Sequence, residues 1–310
     1  MKRRITRKLL KKRDHQQRRR QHKTRIFRQR GGMNLTSYNS VIGAGGFGKV
    51  VKHGAEPVVV KLYYTPESCG ESEKEFAALR SAFDAVAPYV AEKQIYVPQP
   101  LSFENTPHVW GGKAFSCVLQ LGFVDHLPGF TGLIHIILKE ENKRHFNKEV
   151  GKNYGKSVSA NNPSRGFFAT GSYLDSTILP ALDDAVKGEI RTANDIANRF
   201  GFLYGMLVNG GVYPFDVEFS IGLVNGRLHV IALDFNLAAP IQASAEPPDV
   251  AKKLVDGVGG ISGASADLYV PYADDPTWAA WRSGLTDAIA RSTPRGAAIL
   301  TAFLTRYEAE

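Results

Sequence analysis

The run Val41-Ile42-Gly43-Ala44-Gly45-Gly46-Phe47-Gly48-Lys49-Val50-Val51-Lys52 constrains this chain more than any other segment. Gly43, Gly45, Gly48 and Val50 satisfy the spacing G-x-G-x-x-G-x-V, and β-branched residues flank the glycines on both sides. Gly54-Ala55-Glu56-Pro57 then reads as a turn into Val58-Val59-Val60-Lys61-Leu62-Tyr63, a buried-strand pattern broken by a single lysine. Three strands joined by two turns are therefore expected before residue 64. The plain alternative is a glycine-rich hairpin beside a surface lysine.

The order of strand, glycine turn, strand, turn and lysine-bearing strand resembles the nucleotide lobe of protein kinases. It differs from a dinucleotide-binding unit, which needs a helix directly after its glycines. In the kinase reading, Gly43, Gly45, Gly46 and Gly48 let backbone N–H groups approach phosphates, Phe47 caps the turn, Val50 follows it, and Lys61 supplies a point charge. A helix is predicted over 71–86, because Phe76, Leu79, Phe83 and Val86 share one face. The resemblance makes Glu75 the partner of Lys61, with Glu73 as substitute. Ser72 and Glu75 also spell a capping box, in which Glu75 would serve the helix start instead. Residues 106–123 read as a hairpin about Gly111-Gly112, with Val124 to Gly129 leading onward.

Further along, 192–207 is predicted helical, with a Thr192/Asp195 cap and Ile196, Phe200, Leu203 and Leu207 on one face. Strand patterns at 219–224 and 228–233 flank Asn225-Gly226, the strongest short hairpin signal. Asp216 stands nine residues before Asn225, Glu218 seven before it, and Asp234 eight after Gly226. Folding the hairpin therefore brings three carboxylates to the end far from the turn. Their repulsion calls for a cation, and Mg²⁺ bridging phosphates is the usual one.

The same residues fit the kinase resemblance. Gly211 precedes Asp216 by five residues, and Asp234-Phe235-Asn236 stands where D-F-G is expected. The resemblance makes Asp216 the catalytic base, with Asp234 and Glu218 on the metal. Pro214 and Phe215 replace the usual histidine and arginine, no Asn or Lys follows Asp216 at the customary offsets, and no A-P-E signal follows Leu237. A closer resemblance is to a fungal zinc-finger-associated family of unknown function with a kinase-like core. Asp216-Val217-Glu218-Phe219, Leu233-Asp234-Phe235-Asn236 and Asp267-Leu268-Tyr269-Val270-Pro271, with Trp278 and Trp281, carry it. This chain has no zinc-finger cysteine pattern.

Charge divides the 310 residues unevenly. Residues 1–30 hold fifteen Lys/Arg against Asp14, while 31–310 hold 24 basic and 29 acidic residues, a net of −5. A block of like charges without an apolar stripe is expected to be disordered and to bind nucleic acid or another polyanion, sensitive to salt. An acidic membrane surface or an import receptor would accept the same charge, and a solvated tail without a single partner is the plain reading. A mitochondrial presequence is disfavoured by the scarcity of serine. The tail and its Gly31-Gly32-Met33 junction resemble those of proteins packaged in large double-stranded DNA virus particles. Cys69 and Cys117 show no metal spacing and are read as two inert thiols in a reducing, intracellular compartment, with nucleus or virion as further settings. No apolar run is long enough to span a membrane.

The expected architecture is α+β and bilobal, kinase-like: a disordered tail (1–32), a small β-rich lobe with one helix (33–122), and a larger, mainly helical lobe (123–310). The second lobe carries a surface insertion at 139–175 and two closing helices near 276–290 and 294–308. The expected ligands are ATP and Mg²⁺, with phosphoryl transfer to an acceptor the sequence does not identify. The alternatives are a pseudokinase scaffold and a virion- or chromatin-associated protein acting through its tail.

Overall fold

Between Tyr38 and Tyr63 the apolar pattern folds into three antiparallel strands in the computed structural model, which describes residues 33–123, 125–126, 175, 179–215, 217–258, 270–271 and 276–309. The basic tail, nearly all of the expected insertion at 139–175, Asp216 and Asp267–Tyr269 lie outside the described residues. Residues Met1–Thr36 and Ser37–Glu310 are separate units. In the first, the Asn34 side-chain oxygen accepts from the Thr36 N–H (3.0 Å) and hydroxyl (2.7 Å). The second unit is an α+β structure.

The three strands are β1 (Tyr38–Ala44), β2 (Gly48–His53) and β3 (Val58–Tyr63). Helix α1 (Pro66–Val86) follows, starting five residues before the expected 71. Thr65 is its N-cap, accepting from the Ser68 N–H, and Pro66 occupies the first turn, where a missing N–H costs nothing. Cys69, Ser72, Glu75, Leu79, Ala82 and Val86 form its buried stripe at spacings of three and four. The short α2 (Val90–Lys93) ends on Gln94, whose φ of 48° turns the chain into β4 (Ile95–Tyr96). Then come β5 (Pro100–Glu104), the hairpin β6 (His108–Trp110) and β7 (Lys113–Phe115), and β8 (Cys117–Gly122). Gly111 and Gly112 make the β6–β7 turn with φ of 57° and 74°.

The first sheet has the order β1-β2-β3-β8-β5, every pair antiparallel. Its central strand β3 is buried at every residue but Lys61, which is why Val58–Tyr63 reads as a buried strand broken only by that lysine. The expected hairpin at 106–123 is interrupted at Ser116, and β8 pairs with β3 and β5 instead. Cys69 and Cys117 are not separate thiols, as expected from the sequence, but a disulfide with Cα atoms 5.9 Å apart. They are 48 residues apart in sequence. They meet because α1 leaves β3 and packs back on the sheet where β8 runs beside β3.

The remainder comprises β9 (Asp125–His126), α3 (Asp184–Lys187), α4 (Ala193–Asn209), β10 (Val212–Tyr213), β11 (Glu218–Val224), β12 (Arg227–Leu233), β13 (Ala239–Pro240), α5 (Pro247–Val258), α6 (Trp278–Ala290) and α7 (Pro294–Tyr307). The Asn225-Gly226 hairpin forms as expected, with φ of 52° and 75° and Val224 opposite Arg227. A second sheet runs β4-β12-β11-β9, with β4 parallel to β12. Buried Gln94 secures it: its amide donates to the carbonyls of Lys187 (2.9 Å) and Leu228 (2.7 Å) and accepts from the Glu189 N–H (2.6 Å).

α4 is the core helix, buried along Phe200–Val208 and started by the expected Thr192/Asp195 capping box. Two glycines set its crossing with α6. A Cβ on Gly284 would lie 1.8 Å from the Asn198 carbonyl oxygen, and one on Gly201 would lie 2.0 Å from that of Trp281. Gly284→Ala must therefore push two backbones apart, and it is expected to lower unfolding stability by about 3 kcal/mol, read from urea denaturation. The closing helices match the expected 276–290 and 294–308 within two residues. No helix among the described residues is long and apolar enough to cross a membrane.

Candidate functional site

A cavity of about 480 Å³ lies where the glycine turn, β3, α1 and the end of the Asn225-Gly226 hairpin come together. Gly43, Gly45, Gly46, Phe47, Gly48 and Val50 line it from the turn and β2. Val59, Pro98, Leu121, Phe123 and Leu233 supply apolar wall, and Lys61, Glu75, Glu218, Asp234 and Asn236 supply polar groups. Its volume suits a small-molecule ligand.

The glycines have different reasons to be glycine. The Gly45 N–H donates to the Gly48 carbonyl (3.0 Å), closing the turn. A Cβ on Gly48 would lie 2.1 Å from the Leu62 carbonyl oxygen, so the sheet itself excludes a side chain there. Gly45 and Gly46 have no positive φ, and a Cβ on either would meet nothing within 4 Å. Packing does not demand glycine at those two positions. Leaving them bare lets a ligand approach the backbone of the turn closely.

Period-two alternation puts Val59, Lys61 and Tyr63 on one face of β3. The Lys61 ammonium donates to both Glu75 oxygens, at 2.9 and 3.0 Å, and to Asp234 Oδ1 at 2.7 Å. The Tyr63 hydroxyl donates to Glu75 Oε2 at 2.6 Å. Because α1 starts at Thr65–Pro66, Ser72 lies inside it and Glu75 serves no cap; Glu73 is exposed. Of the two roles open to Glu75, the structure has the ion pair.

Burial disfavours the charge on Lys61, but Glu75 and Asp234 outweigh it and hold the ammonium above its ordinary pKa. Burial also pushes the Glu75 carboxyl up, opposed by Lys61 and by the Tyr63 hydrogen bond. The Lys61 side decides the state of the pair, since its ammonium touches two carboxylates at bonding distance. The Tyr63 hydroxyl, buried beside Glu75, is raised far above its normal range.

Asp234 adopts φ of 50°, a left-handed conformation uncommon outside glycine. Glu218 opens β11 opposite Leu233, so two of the three predicted carboxylates reach the cavity at the hairpin end far from the turn. Asp216 lies outside the described residues, and among those described no group of three or more His, Cys, Asp or Glu is arranged to hold a metal. The oxygen donors of Glu218 and Asp234 nevertheless suit a hard divalent cation. Among the described residues Asn236 Oδ1 is buried without a hydrogen-bond partner, and its residue lines the same cavity.

Asp216 is flanked by packed apolar residues. Pro214 and Val217 are buried, and Phe215 stacks on Tyr213 at 5.2 Å between ring centroids. Sequence reasoning missed Tyr63, Asn236, Pro98, Leu121 and Phe123. Tyr63 stands two residues beyond Lys61, a spacing that in a strand signals a shared face, whereas Asn236 lies past the strand end and had no such signal. No protein-family model matches this sequence, and no curated protein matches it.

Proposed function

We propose that this protein binds ATP with Mg²⁺ in the cavity, as an atypical kinase-like protein, and that the site is organised for phosphoryl transfer. The observation that carries the reading is the junction of Lys61 with Glu75 and Asp234, the latter 173 residues away in sequence, in a cavity lined by the glycine turn. The strand order β1-β2-β3-β8-β5 with α1 packed against it supports 33–122 as the smaller lobe of a bilobal kinase-like fold, with 123–310 as the larger.

Backbone N–H groups of Gly46 and Gly48 bind phosphate oxygens, which need close approach without side chains. Val50, Val59, Leu121 and Leu233 shelter the base. Lys61 contributes its charge to the phosphates, and Glu75 keeps the ammonium in place. Glu218 and Asp234 hold the divalent ion, which when bound neutralises phosphate charge. Asp216 takes the proton of the acceptor hydroxyl. Residues 1–30, with their surplus of cations, tether the protein to nucleic acid or another polyanion.

A second reading keeps nucleotide binding without transfer. The packing of Pro214 and Phe215 favours it, since apolar side chains fill the positions where a kinase carries His and Arg.

Thermal denaturation tests the shared premise. Mg²⁺ and ATP at about a hundred times Kd add about 2.7 kcal/mol, which should raise Tm by roughly 5–10 °C. Superimposable curves with and without ligand would reject both readings. Transfer of the γ-phosphate to water or to a protein acceptor separates the first from the second.

A further inference from the structure

We propose that the Cys69–Cys117 disulfide is a redox-sensitive clamp on Glu75, acting through the first half of α1 and through Tyr63, so that a thiol reductant weakens ligand binding at Lys61. The ligand in question is the nucleotide proposed above, and this inference rests on that reading for its functional consequence.

Four contacts form a closed ring. Cys69 and Glu75 lie on the same buried stripe of α1, six residues or about 9 Å apart along the axis. Cys117 is bonded to Cys69 and faces Tyr63 across the β3–β8 ladder. The Tyr63 hydroxyl returns to Glu75 at 2.6 Å. Covalent bond, strand pair, hydrogen bond and helix thus fix the carboxylate that holds Lys61.

The two halves of α1 are anchored differently. From Ala78 onward, Ala78, Leu79, Ala82 and Val86 belong to the main core around α4. Before it, Cys69 joins a small separate cluster with Tyr63, Cys117 and Leu119, against which Phe76 packs. Glu75 sits at the boundary. Opening the disulfide therefore loosens the first half while the second stays docked. The bond is buried, with Cys69 3% exposed, so exchange requires that helix end to open first.

The reaction is thiol–disulfide exchange with an external dithiol. A thiolate of the dithiol attacks one cystine sulfur and the Cys69–Cys117 bond breaks. The second dithiol sulfur then attacks the dithiol sulfur of the mixed disulfide, closing the ring and expelling the remaining cysteine as a thiolate. Two electrons pass to the protein, both cysteines end as thiols with their protons, and the dithiol becomes a cyclic disulfide.

The test compares oxidised full-length protein with protein held in dithiothreitol, by hydrogen exchange along α1 and by calorimetric titration with Mg·ATP. Reduction is expected to speed exchange about tenfold over 69–77, to leave 78–86 unchanged, and to raise Kd about fivefold or more. The double variant Cys69→Ala/Cys117→Ala should show the reduced behaviour with or without dithiothreitol. Tyr63→Phe should raise Kd while leaving exchange near Cys69 slow. Equal exchange in both redox states overturns the clamp, as does equal Kd in both. Global unfolding of both the reduced protein and the double variant also overturns it, because the bond is then a structural staple. Faster exchange over 69–77 with no Mg·ATP binding in either state upholds the clamp on Glu75 and removes the nucleotide reading instead.

Discussion

Replacing Lys61 with methionine is expected to abolish the thermal shift produced by Mg·ATP and to destabilise the ligand-free protein by about 3–5 kcal/mol. The stability loss arises because Glu75, 3% exposed, is left as a buried charge without its cation. Tyr63 still donates one hydrogen bond to it, which does not replace an ammonium bonded to both oxygens. The variant can recover part of the loss by protonating Glu75, whose carboxyl burial already pushes upward. An acid with a folded pKa above its unfolded one binds more protons when folded, so stability is fullest at low pH and falls as pH rises between the two values. Urea denaturation should therefore show the variant closer to wild type near pH 5 than at pH 8. A pH-independent deficit would mean that Glu75 is not the group left stranded.

The second large effect concerns Asp234→Asn. Asparagine keeps the side-chain shape and tolerates the left-handed backbone at this position, so the fold should survive. Asp234 is 40% exposed, and loss of its bond to Lys61 should cost under about 1 kcal/mol. Ligand binding should suffer far more. The Mg²⁺-dependent part of the ATP thermal shift is expected to vanish, leaving the small shift that ATP gives with a chelator present. Asp234→Ala should add about 1–2 kcal/mol of backbone strain to the same functional defect, because alanine fits this φ poorly. If Asp234→Asn keeps the full Mg²⁺-dependent shift, Asp234 is not on the metal.

Local chemistry explains what the sequence made legible. Asn225-Gly226 imposes a two-residue turn, and counting outward from it aligns Glu218 and Asp234 before any coordinates are known. The Thr192/Asp195 box marks the start of α4 because two orphan N–H groups need those side chains. Glu75 was ambiguous, since S-x-x-E suits both a helix start and a mid-helix ion pair; the preceding Thr65-Pro66 resolves it. The disulfide was not legible, because a pair 48 residues apart with no local motif meets only through the tertiary packing of α1 on β8. Strand β5 was hidden by Pro100, which weakens a strand pattern in sequence but suits the first residue of an edge strand. α5 was masked by the Ala, Gly and Pro of its surroundings, although Val250, Ala251, Leu254 and Val255 carry a helical stripe.

The most direct measurement is a crystal structure of the protein with Mg²⁺ and a non-hydrolysable ATP analogue. The triphosphate is expected between the backbone of Gly45–Gly48 and the Lys61 ammonium, the base against Val59 and Leu121, and the metal within bonding distance of Asp234. A nucleotide bound outside this cavity, or a cavity that takes none at saturating analogue while Lys61 keeps its bond to Asp234, would contradict it.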